Sequence, residues 1–196
     1  IEHDGTFIGP RTERNSRIYR RSDLAPGRHQ PFREMAALHE TIPIAMGSVF
    51  RRSILDGAEY PARIGGCYDH WLAYLATRDG AAVFYCPRRL TRYRVHAASG
   101  SATRGLQNLR NGIYVRSRLL KDPRLASCRA ALGNTLGVFY GKMALSFIEK
   151  GKFHRAWIME RHALSLLNRP KPILGLIKNT LVQLLKRFRK GPASRP

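Results

Sequence analysis

The sequence predicts an α/β chain, a mixed strand-and-helix region over residues 1–103 followed by an α-helical extension over residues 104–196. Three observations lead there. Apolar runs at residues 42–50, 82–86 and 90–95 are shorter than typical helices and are bounded by Gly, Pro and Asp-Gly turns, as strands are. From Gly105 onward apolar residues recur every three to four positions, the helical period. Charge changes at the same point. The 196 residues carry 35 Lys and Arg against 13 Asp and Glu, a formal net charge of +22. Residues 1–103 hold 15 of the basic and 10 of the acidic residues, a net of +5; residues 104–196 hold 20 basic residues against Asp122, Glu149 and Glu160, a net of +17.

Residues 10–33 are rich in Arg, Pro, Gly and Ser, and Pro10, Pro26, Gly27 and Pro31 break any regular period, so this stretch reads as a loop with at most a short helix near Ser22. Residues 32–39 suit a short helix, and residues 42–50 an extended, buried strand. One helical turn follows at residues 51–55, closed by Asp56-Gly57. Asp69 then opens a helix in which Trp71, Leu72 and Leu75 fall on a face suited to packing, and Asp79-Gly80 ends it. Residues 82–86 and 90–95 read as strands separated by Pro87-Arg88-Arg89.

Leu106, Leu109, Ile113, Leu119 and Leu120 mark the next helix, which Asp122-Pro123 terminates. A further helix runs from that proline to Gly151. Gly133, Gly137 and Gly141 lie at four-residue spacing within it, each costing about 1 kcal/mol relative to Ala while permitting a close neighbour. Residues 152–167 return as an antiparallel helix, and no repeat of fixed period follows. A last helix begins after Pro172, with Ile173, Leu174, Ile177, Leu181, Leu184, Leu185 and Phe188 on one face among lysines and arginines.

Hydrophobic residues make up 43% of the chain, ordinary for a globular core. Three cysteines, Cys67, Cys86 and Cys128, with no Cys-x-x-Cys, suggest neither a disulfide framework nor a zinc ribbon, and fit a reducing cytosol. No window reaches the roughly 18 uninterrupted apolar residues of a membrane span. The expected location is cytoplasmic, with any membrane contact peripheral, on the inner face.

The stretch GCYDHWLAYLATRDGAAVFYCPRRLTRYRVHAASGS, residues 66–101, resembles the acceptor-side half of inverting family 2 glycosyltransferases. Met46-Gly47-Ser48 matches the family's small-residue strand facing the acceptor. Tyr68-Asp69-His70-Trp71 matches its acidic motif, and Tyr93-Arg94-Val95-His96 its Tyr-Arg-x-His ending beside the donor diphosphate and metal. Tyr68 replaces the second carboxylate that the family often shows. The resemblance implies a GT-A-like mixed-sheet domain in which Asp69 is the catalytic base. It also implies a nucleotide-diphosphate-sugar donor, a saccharide or lipid-linked acceptor, and Mn²⁺ or Mg²⁺. The family's nucleotide-binding half and Asp-x-Asp motif have no counterpart in residues 1–45, and His3-Asp4-Gly5-Thr6 looks like a turn that follows Asp-x-Asp. The chain therefore reads as the C-terminal portion of a longer enzyme, inactive by itself, whose main metal ligands lie upstream.

Each residue also has a plainer reading. Asp69, able to take a proton from an acceptor hydroxyl, is equally placed to be a helix N-cap. His96 could bind the diphosphate or complete the metal site, since imidazole suits Mn²⁺, or lie on the surface. Arg94 has the planar fork that binds phosphate, in a chain full of solvent-facing arginines. Gly47 and Ser48 could let an acceptor approach the backbone or mark a packing concession. His70 and Trp71 could shape an acceptor pocket, Trp71 by stacking on a sugar, or belong to the core. Cys67 suits a small buried filler.

The basic terminal helix, residues 173–190, could lie in an anionic headgroup layer or close the bundle. Nucleic acid is disfavoured, because the tail has no zinc finger, RNP signature or regular aromatic interleaving. The alternative to sugar transfer is a non-catalytic basic helical module binding an anionic membrane surface or nucleic acid.

Overall fold

The computed structural model describes residues 9–42, 47–91, 105–168 and 170–189. Among them the chain is mostly helical, and the sheet is one two-stranded antiparallel ribbon. The expected GT-A-like mixed sheet is therefore overturned. Its physical basis fails at three places. Of the strand expected at residues 42–50, residues 43–46 lie outside the described residues, residues 47–50 form no strand, and Val49 and Phe50 are exposed. Leu90 and Thr91 are likewise outside any strand, and residues 92–95 lie outside the described residues. The strand expected at residues 82–86 does form, as β2 (Val83–Tyr85), but it pairs with β1 (Gly27–His29), in a region read from sequence as loop. A strand must pair its backbone N–H and C=O groups, and here β1 satisfies them at the surface, with Phe84 exposed.

Helix α1 (Gly9–Ile18) also replaces expected loop, and it buries none of its residues. Helix α2 (Arg33–His39) and a 3-10 turn at Arg52–Leu55 stand where the sequence places them. A kinked 3-10 segment, Ala62–Cys67, leads into α3 (Tyr68–Thr77), which stops before Asp79 and Gly80, the latter at φ 88°. Phe32, Ala36 and Ala73 pack α2 onto α3, with Leu24, Ile42, Leu72 and Val83 around them.

Helix α4 (Gly105–Lys121) ends where Asp122-Pro123 predicts. The Asp122 carboxylate accepts from the Arg124 N–H at 2.9 Å, capping a 3-10 segment, Pro123–Cys128, that intervenes before α5 (Arg129–Glu149). Gly151, at φ 69°, turns the chain into α6 (Phe153–Leu166), and α7 (Pro170–Arg189) follows. Helix α5 is the hub, packed against α4, α6 and α7. Gly133 and Gly137 of its glycine ridge face the C-terminal end of α6. A Cβ on Gly137 would lie 2.9 Å from Leu167 Cδ2 and 3.1 Å from the Ala163 carbonyl oxygen, so only Gly allows this approach.

One core runs from the N-terminal helices into the basic half. Ala37, Ile64, Trp71, Tyr74 and Leu75 pack with Val115, Leu119, Leu125 and Leu132. A second cluster, centred on Met143, Phe147 and Ala156, joins α4 to α6 and takes Leu184 of α7.

Candidate functional site

The site expected at Asp69 is built on the first turn of α3. Three buried side chains, His70, Trp71 and Tyr74, fix that helix. His70 is 1% exposed, and its Nε2–H donates to the Ala37 carbonyl at 2.7 Å. Trp71 Nε1–H donates to the Glu59 carbonyl at 2.8 Å, and the Tyr74 hydroxyl donates to the Asp122 carboxylate at 2.7 Å. The segment entering the helix is equally constrained. Gly65 takes φ 48°, and a Cβ there would stand 2.8 Å from Asn111 Cγ of α4. With its amide turned to satisfy both ends, Asn111 donates to the Arg63 carbonyl at 3.3 Å and accepts from the Gly66 N–H at 3.1 Å.

Asp69 itself is half-buried and is not the N-cap. That position belongs to Cys67, which makes no side-chain cap bond, and Asp69 follows in the first turn. There the free N–H groups and helix dipole favour negative charge. Tyr19 and Cys67 each lie within electrostatic reach of Asp69, Glu40 and Arg116. Burial, with Glu40 and Asp69 adding to it, pushes the Cys67 thiol up to about 11, so Cys67 is protonated at neutral pH and is no nucleophile. Burial and Glu40 also raise the Tyr19 phenol above its ordinary value.

Beside His70 stands a charged pair that the sequence did not single out. Glu40, at φ 52°, caps the end of α2, and its carboxylate accepts from Arg116 Nη2 of α4. The Arg116 side chain is 5% exposed and its guanidinium lies 3.7 Å from the centroid of the Phe139 ring. Burial pushes the Glu40 carboxyl up, but His70, Arg116 and Lys142 outweigh it and hold the group below its ordinary value. Arg116 is the one among them that donates a hydrogen bond to Glu40. His70 Nδ1 faces Glu40 Oε1 at 3.7 Å, yet burial dominates and pulls the imidazole from 6.5 down to about 4, with Arg116 pulling the same way and Glu40 opposing. The ring is thus neutral at pH 7, and Nδ1 has no hydrogen-bond partner. The available clue to Arg116 was a cation on the buried side of a helix, beside Gly112, Val115 and Leu119.

Among the described residues, those predicted from the sequence are not gathered into one pocket. Two positions apart on a helix is about 200° of rotation, so Asp69 and Trp71 point to nearly opposite sides. Trp71 edges an open cleft of about 460 Å³ with Tyr74, Arg78, Arg118 and Lys121, the Arg118 guanidinium standing 5.9 Å from its ring. His70 holds α3 in place from the interior, so neither its ring nor the Trp71 ring is presented beside Asp69 to an acceptor. Gly47 is exposed and Ser48 half-buried, and neither belongs to the expected strand. Met46, Tyr93, Arg94, His96 and the His3-Asp4-Gly5-Thr6 turn lie outside the described residues. Among the described residues no group of three His, Cys, Asp or Glu side chains could hold Mn²⁺ or Mg²⁺.

No family model, curated protein or solved structure matches this chain.

Proposed function

We propose that the protein takes part in sugar transfer, with Asp69 as the general base that removes a proton from an acceptor hydroxyl. The donor is a nucleotide-diphosphate-sugar, the acceptor a saccharide or lipid-linked saccharide, and the anomeric centre is inverted. The observation that carries this reading is the setting of Asp69. An acidic side chain of intermediate burial occupies the first turn of a helix that His70, Trp71 and Tyr74 lock in place, and a base works best on so rigid a mount. The order Asp69, then Tyr93-Arg94-Val95-His96, supports it from the sequence. In this reading the carboxylate accepts the hydroxyl proton as the oxygen attacks the anomeric carbon, and the C–O bond to the diphosphate breaks on the opposite face. Arg94 and His96 would meet the diphosphate, and His96 would also meet the Mn²⁺ or Mg²⁺ that the resemblance implies.

The test uses the product of the complete reading frame, supplied with a panel of nucleotide-diphosphate-sugars, candidate acceptors and Mn²⁺. Asp69→Asn keeps the shape and removes the base. A loss of transfer of about 100-fold or more, at an unchanged melting temperature, is the expected result. A variant that transfers sugar at the wild-type rate would remove Asp69 from the chemistry.

A further inference from the structure

We infer that α7 is a membrane-docking helix that lies flat on an anionic lipid surface. The inference rests on the exposed side of this helix and stands apart from the sugar-transfer reading. Leu184 packs into the core beside Phe147 and Ile148, Ile173 packs against Ala163 and Leu167, and Thr180 donates to Glu160 of α6 at 2.6 Å. These contacts use one side of α7. A second apolar row is left in solvent: Leu174, Ile177, Leu181 and Leu185, at 65%, 48%, 55% and 59% exposure, with spacings of three and four that align them along the helix. An apolar row already buried would close the bundle, but this one is additional to the row that does so.

The charge around it selects the occupant. Helix α7 contains five basic residues, Lys171, Lys178, Lys186, Arg187 and Arg189, and no acidic one. Lys178 stands four positions after Leu174 and three before Leu181, so an exposed cation borders the row, and exposed Lys186 follows at its end. Helix α6, tied to α7 by the Glu160 bond, exposes Phe153, Trp157 and Leu164 on a single stripe of its own. An apolar row edged with cations and free of acids suits a lipid surface, where side chains enter the acyl boundary and cations meet the headgroup phosphates. A nucleic acid would engage the cations but leave the leucines in water. A second copy would bring two such cationic surfaces together, against the net +17 of residues 104–196. No helix among the described residues is long and apolar enough to cross a membrane, so α7 lies on the surface instead of spanning it.

The experiment is vesicle co-sedimentation of the 196-residue chain with phosphatidylcholine vesicles, with and without phosphatidylserine at about one part in three. Binding to the anionic vesicles is expected to exceed binding to the neutral ones at least tenfold and to weaken with salt. Lys178→Glu with Lys186→Glu should reduce it about fivefold or more for each cation lost. Leu181→Asp with Leu185→Asp, both exposed positions, should abolish binding while the far-UV circular dichroism is unchanged. Equal binding to neutral vesicles would overturn the charge argument. Wild-type binding by the Asp variant would overturn the role of the apolar row. Absence of vesicle binding, whether with capture of a short nucleic acid or with a dimer that the Asp variant dissolves, would overturn the inference outright.

Discussion

Lowering the pH from 7 to 5 should destabilise this protein mainly through one buried ring. His70 is 1% exposed, and burial moves it from 6.5 to about 4, while Glu40 resists and Arg116 assists. A base whose folded value is depressed binds its proton more readily when unfolded. Stability is therefore fully present above pH 6.5 and is lost as the pH falls through the window between 6.5 and about 4. At pH 5 the unfolded imidazole is almost wholly charged and the folded one only about one-tenth charged, so linkage gives a loss of about 2 kcal/mol relative to pH 7. In urea, where small domains lose 1–3 kcal/mol per molar, the unfolding midpoint should fall by about 1 M. His39 shifts downward too, by burial, so the diagnostic is a comparison with His70→Gln, whose amide N–H can still reach the Ala37 carbonyl. That variant should lose most of the pH dependence. Equal wild-type midpoints at pH 7 and pH 5, or an undiminished slope in His70→Gln, would show that His70 does not carry the pH dependence.

Two further perturbations test the packing that supports the site. Gly137→Ala should destabilise by about 1–3 kcal/mol, because its Cβ would meet the Ala163 carbonyl oxygen at 3.1 Å as well as Leu167, whereas Gly133→Ala meets only the Leu166 carbonyl oxygen at 3.7 Å and should gain up to about 1 kcal/mol of helix propensity; thermal melts of both should move in opposite directions. Asp122→Ala removes the acceptor of the Tyr74 hydroxyl and the cap on Arg124 N–H together, for about 2–3 kcal/mol, and Tyr74→Phe should account for about 1 kcal/mol of it in the same chemical-denaturation assay.

The elements legible in the sequence are those whose signals are local. Asp122-Pro123 stops α4 because proline sits at the start of a capped turn, and the apolar residues of α3 and α5 mark their buried faces. Helix α1 escaped for the converse reason: it buries no residue, so it has no apolar period to find. Strand β1 escaped because its three residues, Gly27–His29, pair with a partner more than fifty positions away and carry no strand pattern of their own. Residues 47–50 misled, since Val49 and Phe50 look like strand core yet stand in solvent. At the candidate site, Asp69 was visible as a helix-opening acid. The Glu40–Arg116 pair was not, because its members lie 76 residues apart and meet only through the packing of α2 on the basic half.

That packing bears on how the two halves of the sequence depend on each other. The acid sits in residues 1–103, but much of what positions it comes from residues 104–196. Gly65 and Gly66 press against Asn111 and Asn108 of α4 so closely that side chains there would collide, and Gly66 N–H is held by Asn111. Gly112 in turn leaves room for Phe139, the ring that carries the Arg116 guanidinium. Arg116 then supplies charge that keeps Glu40 ionised beside His70, the neighbour of Asp69 in the chain. The helical half is therefore a scaffold for the first turn of α3 as well as a cationic surface, and cutting the chain at residue 103 would remove the glycine-lined wall and the buried cation together. A fragment ending there would leave Glu40 without Arg116, and Trp71 and Tyr74 without Val115 and Leu119, so Asp69 would lose its mount before any question of chemistry arose.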